Sequence, residues 1–216
     1  MNGETTFSQV WFREAGRSWI PAFAGKTGWL VLSALLATPA QASPSYTVIP
    51  GSTVAYHVKA RLIGLFDENI DGVNREVKGS FGFGPDGKPT GWVAAPTLAF
   101  RSGIKGRDAN VREMLGGDRH PDVRFDLLGL EPINPPRPSG TLIASGLLHA
   151  NGHSQSIRFP LTYRLADHIL HLSGEADARF TDFTITPPVL GFVLKRAPNA
   201  LKLRVDLVAR EEDDQH

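Results

Sequence analysis

From Tyr46 to Ala209 the chain repeatedly alternates apolar and polar residues with a period of two. An extended strand with one buried face requires that period, because successive side chains point to opposite sides of a sheet. Eight segments carry it. The first sets Val54, Tyr56, Val58, Ala60 and Leu62 against Thr53, His57, Lys59 and Arg61, and the second sets Val73, Val77, Phe81 and Phe83 against Asn74, Glu76, Lys78 and Ser80. The third runs through Trp92, Ala94, Leu98 and Phe100, with Pro96 marking an edge or a bulge. The fourth has Val123, Phe125 and Leu127 opposite Arg124 and Asp126.

In the fifth segment, Thr141 to Ala150, the pairs Ile143/Leu147 and Leu142/Leu148 are equally compatible with a buried face, so its inner side stays open. The sixth carries Ile157, Phe159, Leu161, Tyr163 and Leu165 opposite Arg158 and Arg164. The seventh carries Leu170, Leu172, Ala176, Ala178 and Phe180 opposite His171, Glu175, Asp177 and Arg179. The eighth carries Leu201, Leu203, Val205 and Leu207 opposite Lys202, Arg204 and Asp206. Short connections, such as the turn at Pro85-Asp86-Gly87 and the proline-rich EPINPPRPSG from Glu131 to Gly140, join neighbours. Eight strands in one open sheet would leave two unpaired edges, and closure removes them. The expected fold is therefore all-β, an eight-stranded antiparallel up-and-down barrel of lipocalin-like form. Such an interior is either filled by side chains or holds one small ligand.

One stretch breaks the period. FRSGIKGRDANVREML, Phe100 to Leu115, is dense in charge and places Val111, Met114 and Leu115 at helical spacing. Asp108 suits an N-cap, and Gly103, Gly106, Gly116 and Gly117 punctuate both ends. A short amphipathic helix near 108–115 is expected across one mouth of the barrel.

The start of the chain has a different character. Lys26 is followed by the apolar GWLVLSALLA (Gly28 to Ala37) and by Ala40-Gln41-Ala42, the layout of a secretory signal with cleavage after Ala42. An apolar run of about ten residues is shorter than the roughly 20 a spanning helix needs. Met1 to Gly25 makes an unusually long leading region in which WIPAFAG resembles translated repeat DNA, as an over-extended start would produce. The expected organisation is residues 1–42 removed, a barrel domain over 43–209 and an acidic tail over 210–216. Three of the 23 basic and two of the 22 acidic residues precede residue 43, so the remainder carries 20 of each. That neutrality gives no footing for nucleic acid. The chain has no cysteine, which excludes a disulfide frame and a thiolate nucleophile.

Several motifs fail on context. GFGPDG (Gly82 to Gly87) has the letters of a dinucleotide fingerprint but reads as a hairpin turn, not a strand entering a helix. DENIDG (Asp67 to Gly72) spaces oxygen ligands like the start of a calcium loop, yet Lys78 stands where the bidentate glutamate belongs, so a polar hairpin is expected. His149, His153, His168 and His171 do not converge on strands, and no metal or cofactor is expected. Ser154 lies in Gly152-His153-Ser154-Gln155-Ser156, which is no nucleophile elbow, and the carboxylates lie on outward faces; no catalysis is expected.

Four segments together resemble the YceI-like family of exported, lipocalin-like barrels. They are SGIKGRDANVREML (Ser102 to Leu115), RHPDVRF (Arg119 to Phe125), GLLHANG (Gly146 to Gly152) and TDFTI (Thr181 to Ile185). Several members of that family bind polyisoprenoid or other long apolar chains. The resemblance runs from Tyr46 to about Ala209 in the family's order, with two departures. Ala60 and Asn151 stand where many members have histidine, so a headgroup preference does not carry over to this chain.

The resemblance implies a ligand class, and the alternation independently supplies the dry interior such a ligand needs. The expectation is a periplasmic binding or carrier protein, not an enzyme, enclosing a polyisoprenoid, quinone tail or fatty amide. Its walls would be Val54, Tyr56, Val58, Val77, Phe81, Phe83, Trp92, Phe100, Phe125, Leu127, Phe159 and Leu161, with Met114 and Leu115 lining the lid. Arg101, Arg107 and Asp108 are expected to brace the helix, and the apolar TDFTITPPVLGFVLK to pack beneath the barrel rim. Association into a homodimer is allowed. The rival readings are a side-chain-filled barrel with a stress-related or interaction role, and a quinone-linked electron-transfer accessory.

Overall fold

The computed structural model describes residues 44–62, 66–132, 138–187, 189–190 and 195–212. The segment expected to be a secretory signal, with its expected cleavage point, the centre of the proline-rich loop and the last four residues of the acidic tail lie outside the described residues. The described strands are β1 (Ser45–Val48), β2 (Thr53–Leu62), β3 (Phe66–Asn74), β4 (Lys78–Phe83), β5 (Pro89–Pro96), β6 (Asp122–Glu131), β7 (Ser139–Ala150), β8 (His153–Ala166), β9 (Ile169–Arg179), β10 (Val189–Leu190), β11 (Lys195–Arg196) and β12 (Ala200–Glu211). Helix α1 (Lys105–Met114) lies between β5 and β6.

Strands β4 to β9 pair in order, β9 pairs with β12, β12 with β1, and β1 with β4, so eight antiparallel strands close into a barrel. Closure rests on the length of β12. Its last residues pair with β1, Tyr46 opposite Glu211 and Val48 opposite Ala209. Its earlier residues, Lys202 to Asp206, pair on the same edge with β2. Between the two partners the chain kinks at Gly51, whose φ of 106° only glycine adopts without strain. The buried Ser52 hydroxyl fills the gap, accepting from the Val208 N–H at 2.9 Å and lying 3.1 Å from the Val208 carbonyl.

The second expected strand is kinked in the same place. It divides into β3, paired with β2, and β4, paired with β1. Asn74 holds this kink, completely buried; its amide donates to the Pro96 carbonyl and its Oδ1 accepts from the Glu76 N–H, both at 2.8 Å. The barrel therefore carries an extra hairpin, β2–β3, at the α1 end, whose outer edge meets the loop before α1 through a Val73–Arg101 bridge.

Four expectations about faces are corrected. DENIDG is strand, not turn: Ile70 pairs with Val58 and both are buried. Asn74 points inward beside Val54, and Val73 lies opposite Ala55 on the other face. In β5 the inward residues are Val93 and Ala95, paired with Phe125 and Val123, while the Trp92 ring stacks on the Arg124 guanidinium 4.9 Å away. Leu98 lies outside the strand and is 49% exposed. In β7 the open choice resolves to Leu142, Ala144, Leu148 and Ala150, all buried. GFGPDG forms the β4–β5 turn, with the Gly84 N–H bonded to the Lys88 carbonyl at 2.8 Å.

Placing a carboxylate on the inner face of β7 strands an unpaired charge in an apolar interior. Leu142→Asp is expected to lower the melting temperature by about 10 °C or more, whereas Leu128→Asp, at a residue 61% exposed, should shift it by no more than about 2 °C. Equal melting curves for the two would overturn the inward assignment of Leu142.

Candidate functional site

The inner faces of the strands do not meet. They enclose a cavity of about 920 Å³ that runs the length of the barrel, from Met114 and Leu115 on α1 to Phe83, Gly87 and Leu165 at the opposite end. Two apolar clusters form its wall. The one away from α1 includes Leu142, Ala144, Phe159, Leu161, Leu172 and Leu207. The one beneath α1 includes Val58, Ile70, Leu148, Phe180, Phe183 and Ile185. Aromatic rings shape the space between: Phe125 meets Phe159 edge-on at 5.6 Å, and Tyr56 lies 6.0 Å from Phe100. Glycines on the wall make room for these rings. A Cβ at Gly146 would lie 2.5 Å from Cζ of Phe125, and one at Gly72 would collide with the Tyr56 ring.

Most residues picked as walls border this cavity. Val54, Tyr56, Val58, Phe81, Phe83 and Phe100 do, as do Phe125, Leu127, Phe159 and Leu161, with Met114 and Leu115 on α1. Trp92 borders it too, though its indole is turned to Arg124 outside. Val77 is buried in the wall beneath the kink without reaching the cavity. The sequence reading missed Ile70, Val93, Ala95, Leu142, Ala144 and Leu148, and also Arg107 and Asn110 on α1. A signal for the last two was present: positions 107, 110, 111 and 114 share one helical face.

The helix begins a turn earlier than expected, and Asp108 is not its N-cap. Ile104 holds that position, and the buried Asp108 carboxylate reaches back to the Ser102 N–H at 2.7 Å and the Ser102 hydroxyl at 2.6 Å. The Ser102 hydroxyl bond is the chief reason the Asp108 carboxyl is held below its ordinary pKa. Arg101 donates to the Leu98 and Phe100 carbonyls at 2.6 and 2.9 Å. Arg101 and Asp108 thus brace the loop as expected, whereas Arg107 faces the cavity. At its base the loop is clasped by Thr97, whose N–H donates to the Pro121 carbonyl at 2.7 Å and whose hydroxyl donates to the His120 carbonyl at 2.8 Å. Asn151, in a left-handed turn between β7 and β8, donates to the Phe183 carbonyl at 3.1 Å, so its role at a family histidine position is structural. Phe183 and Ile185 are buried at the rim, while Phe192 and Val193 lie outside the described residues.

The outer face carries the charge. Ser154, His149 and Asp126 form a row across three strands, with distances of 2.6 and 2.9 Å, and Asp126 is also held by Arg124. The row lies on the solvent side of the sheet, and none of its three residues borders the lumen. Among the described residues no group of three or more His, Cys, Asp or Glu side chains is placed to hold a metal ion.

No family model matches the sequence, and no curated protein matches it. Solved structures do match its fold. A polyisoprenoid binding domain from Saccharophagus degradans, implicated in plant cell wall breakdown, aligns with a TM-score of 0.61 at 11% identity, over 77% of this chain and 98% of that one. The Campylobacter jejuni YceI protein aligns with a TM-score of 0.56 at 14% identity, over 71% and 91%. The barrel is YceI-like. Burkholderia cenocepacia BcnA shares it with a TM-score of 0.57 at 13% identity, over 73% and 95%. At these identities the likeness is one of fold, and the YceI-like barrel of this chain is characterised by its own lining.

A carboxyl whose pKa is depressed by folding adds stability that is present above its unfolded pKa, about 3.9, and lost as pH falls through the folded value. The protection factors of the α1 amides, from which the intrinsic pH dependence of exchange is removed, should therefore be steady from about pH 7 to 5 and fall below about pH 4. In Asp108→Asn they should be lower between about pH 5 and 7 and approach wild type as Asp108 protonates, with strand amides unchanged. Wild-type protection in Asp108→Asn would show that the Ser102 contact does not anchor the helix.

Proposed function

We propose that the protein is a periplasmic binding or carrier protein that shelters one long apolar chain, of polyisoprenoid, quinone-tail or fatty-amide type, inside the barrel. The observation that carries the reading is the lumen itself: about 920 Å³, bounded mostly by Val, Leu, Ile, Ala and Phe side chains. A barrel filled by its own side chains would leave no such space. At roughly 30 Å³ for a group the size of a water molecule, the volume suits about 30 methylene-sized groups. Each methylene leaving water contributes about 0.8 kcal/mol, so a chain partly enclosed needs no covalent anchor.

Two further facts support the assignment. The Saccharophagus degradans domain that shares the fold is a polyisoprenoid binding domain. The signal-like segment before residue 43 agrees with export. Binding is favoured over catalysis because the outward-facing polar row at Ser154, His149 and Asp126 does not open on the lumen.

The test is native mass spectrometry of the protein purified from periplasm, with lipid extraction, followed by addition of polyprenyl chains to stripped protein. Bound apolar molecules, and a rise in melting temperature with added chain, are expected. Ala144→Trp drives an indole into the lumen from a residue only 1% exposed, and should abolish the thermal shift while leaving β circular dichroism intact. Empty protein that ignores added chains would refute the carrier reading.

A further inference from the structure

The segment that leads from β5 into α1 turns one apolar residue inward and two outward. Phe100 is buried and borders the lumen, whereas Leu98 and Ile104 on either side of it are 49% and 53% exposed. A single leucine in solvent needs no explanation, but two beside one apolar opening form a feature of the rim. Their exposure is fixed by the fold. Thr97 is clasped to Pro121 and His120, Arg101 is bridged to Val73, and Ser102 is bonded to Asp108 on the helix. Each outward side chain also has an exposed cation next to it: Arg101, which donates to the Leu98 carbonyl, and Lys105, which follows Ile104. Residues 97–107 contain no acid, and Asp108, the first to follow, is buried. The approach is open as well, since a Cβ built at Gly103 or Gly106 would meet no atom within 4 Å.

An apolar cargo adds a second constraint. Each methylene that passes from an apolar phase into water lowers the equilibrium concentration about fourfold, so a chain of about 20 such groups falls by a factor of roughly 10¹². A barrel waiting in solution would meet almost none of it. The chain has to be taken from the membrane that holds it, with the mouth against the surface.

We infer that segment 97–107 docks the rim of the barrel onto an anionic lipid surface. Leu98 and Ile104 enter the boundary between headgroups and acyl chains, and Arg101 and Lys105 lie among the headgroup phosphates. This rests on the reading that the lumen takes an apolar chain, and deepens it by naming where the chain is taken up. Phe100 belongs to the same segment and faces the lumen, so a chain leaving the bilayer passes from one apolar surface to the next.

The experiment is flotation of the protein purified from periplasm with vesicles of phosphatidylcholine alone or with about 30% phosphatidylglycerol. Partition onto the anionic vesicles is expected to be stronger by about fivefold or more, and to weaken as salt is raised. The double change Leu98→Ser and Ile104→Ser should lower it by about tenfold or more, and Lys105→Glu by about fivefold or more. Leu128→Ser, at an exposed residue of β6, should leave it unchanged. Ile104→Trp gives a readout that does not depend on loss of binding, because its added emission should be quenched by brominated lipid chains. The docking site is overturned if wild type ignores both vesicles or binds them equally, if the double variant floats like wild type, or if bound Ile104→Trp is not quenched. These measurements need no cargo. Protein that floats with vesicles but takes up no polyprenyl chain refutes the carrier reading alone, and protein that takes up the chain but ignores vesicles refutes the docking site alone.

Discussion

The structure depends on how one long strand, β12, closes a sheet on itself. Without the contact between β12 and β1, both would be bare edges, each with a row of unsatisfied backbone groups. β12 serves two partners along one edge, β1 near its end and β2 before that, and at the switch between them the Ser52 hydroxyl accepts the Val208 N–H. The buried Asn74 does the same work on the matching kink between β3 and β4. Both polar groups sit in otherwise apolar surroundings. Each is tolerated because its hydrogen bonds go to backbone atoms the kink would otherwise leave unpaired.

The double kink has a consequence for the mouth. It lets the β2–β3 hairpin continue past the closed barrel on the α1 side, where its edge bonds the loop at Arg101. The helix is therefore held at several points: the Val73–Arg101 bridge, the Asp108–Ser102 bonds and the Thr97 clasp on His120 and Pro121. Met114 and Leu115 pack on the cluster containing Val58, Ile70 and Phe183. The cover is thus fastened at its roots. Its few apolar contacts, compared with the strand ladders, put it at the low-stability end of the molecule.

How much of this was legible depended on the contrast between the two faces of each strand. In β8, β9 and β12 charged residues alternate strictly with apolar ones, and the inward sets Phe159/Leu161/Tyr163, Leu172/Ala176/Ala178 and Leu203/Val205/Leu207 could be read directly. β7 has apolar residues on both faces at Leu142–Ile143 and Leu147–Leu148, so periodicity alone could not choose. β5 misled by one residue because its largest apolar side chain, Trp92, faces outward under the Arg124 guanidinium, an arrangement that depends on a neighbouring strand. β3 was missed because its alternation is written in turn-forming residues, and pairing with β2 overrides their propensity. Asp108 looked like a cap since nothing local reveals that its carboxylate folds back on Ser102. Arg107 was grouped with the bracing charges for the same reason: which way a helix faces is settled by the surface it covers.

The size of the lumen bears on the state in which the protein exists. A lumen of about 920 Å³ that opens at its mouth admits solvent wherever a ligand does not fill it. A barrel of this width does not stand empty; it holds solvent or cargo. Solvent is a poor occupant along a wall of Leu, Val and Phe, because a buried water needs two to four polar partners and most of the lining is apolar. An apolar chain needs none. On the proposed carrier reading, binding and folding are coupled through the same surface, because wall residues that face the open space gain contacts from the enclosed chain.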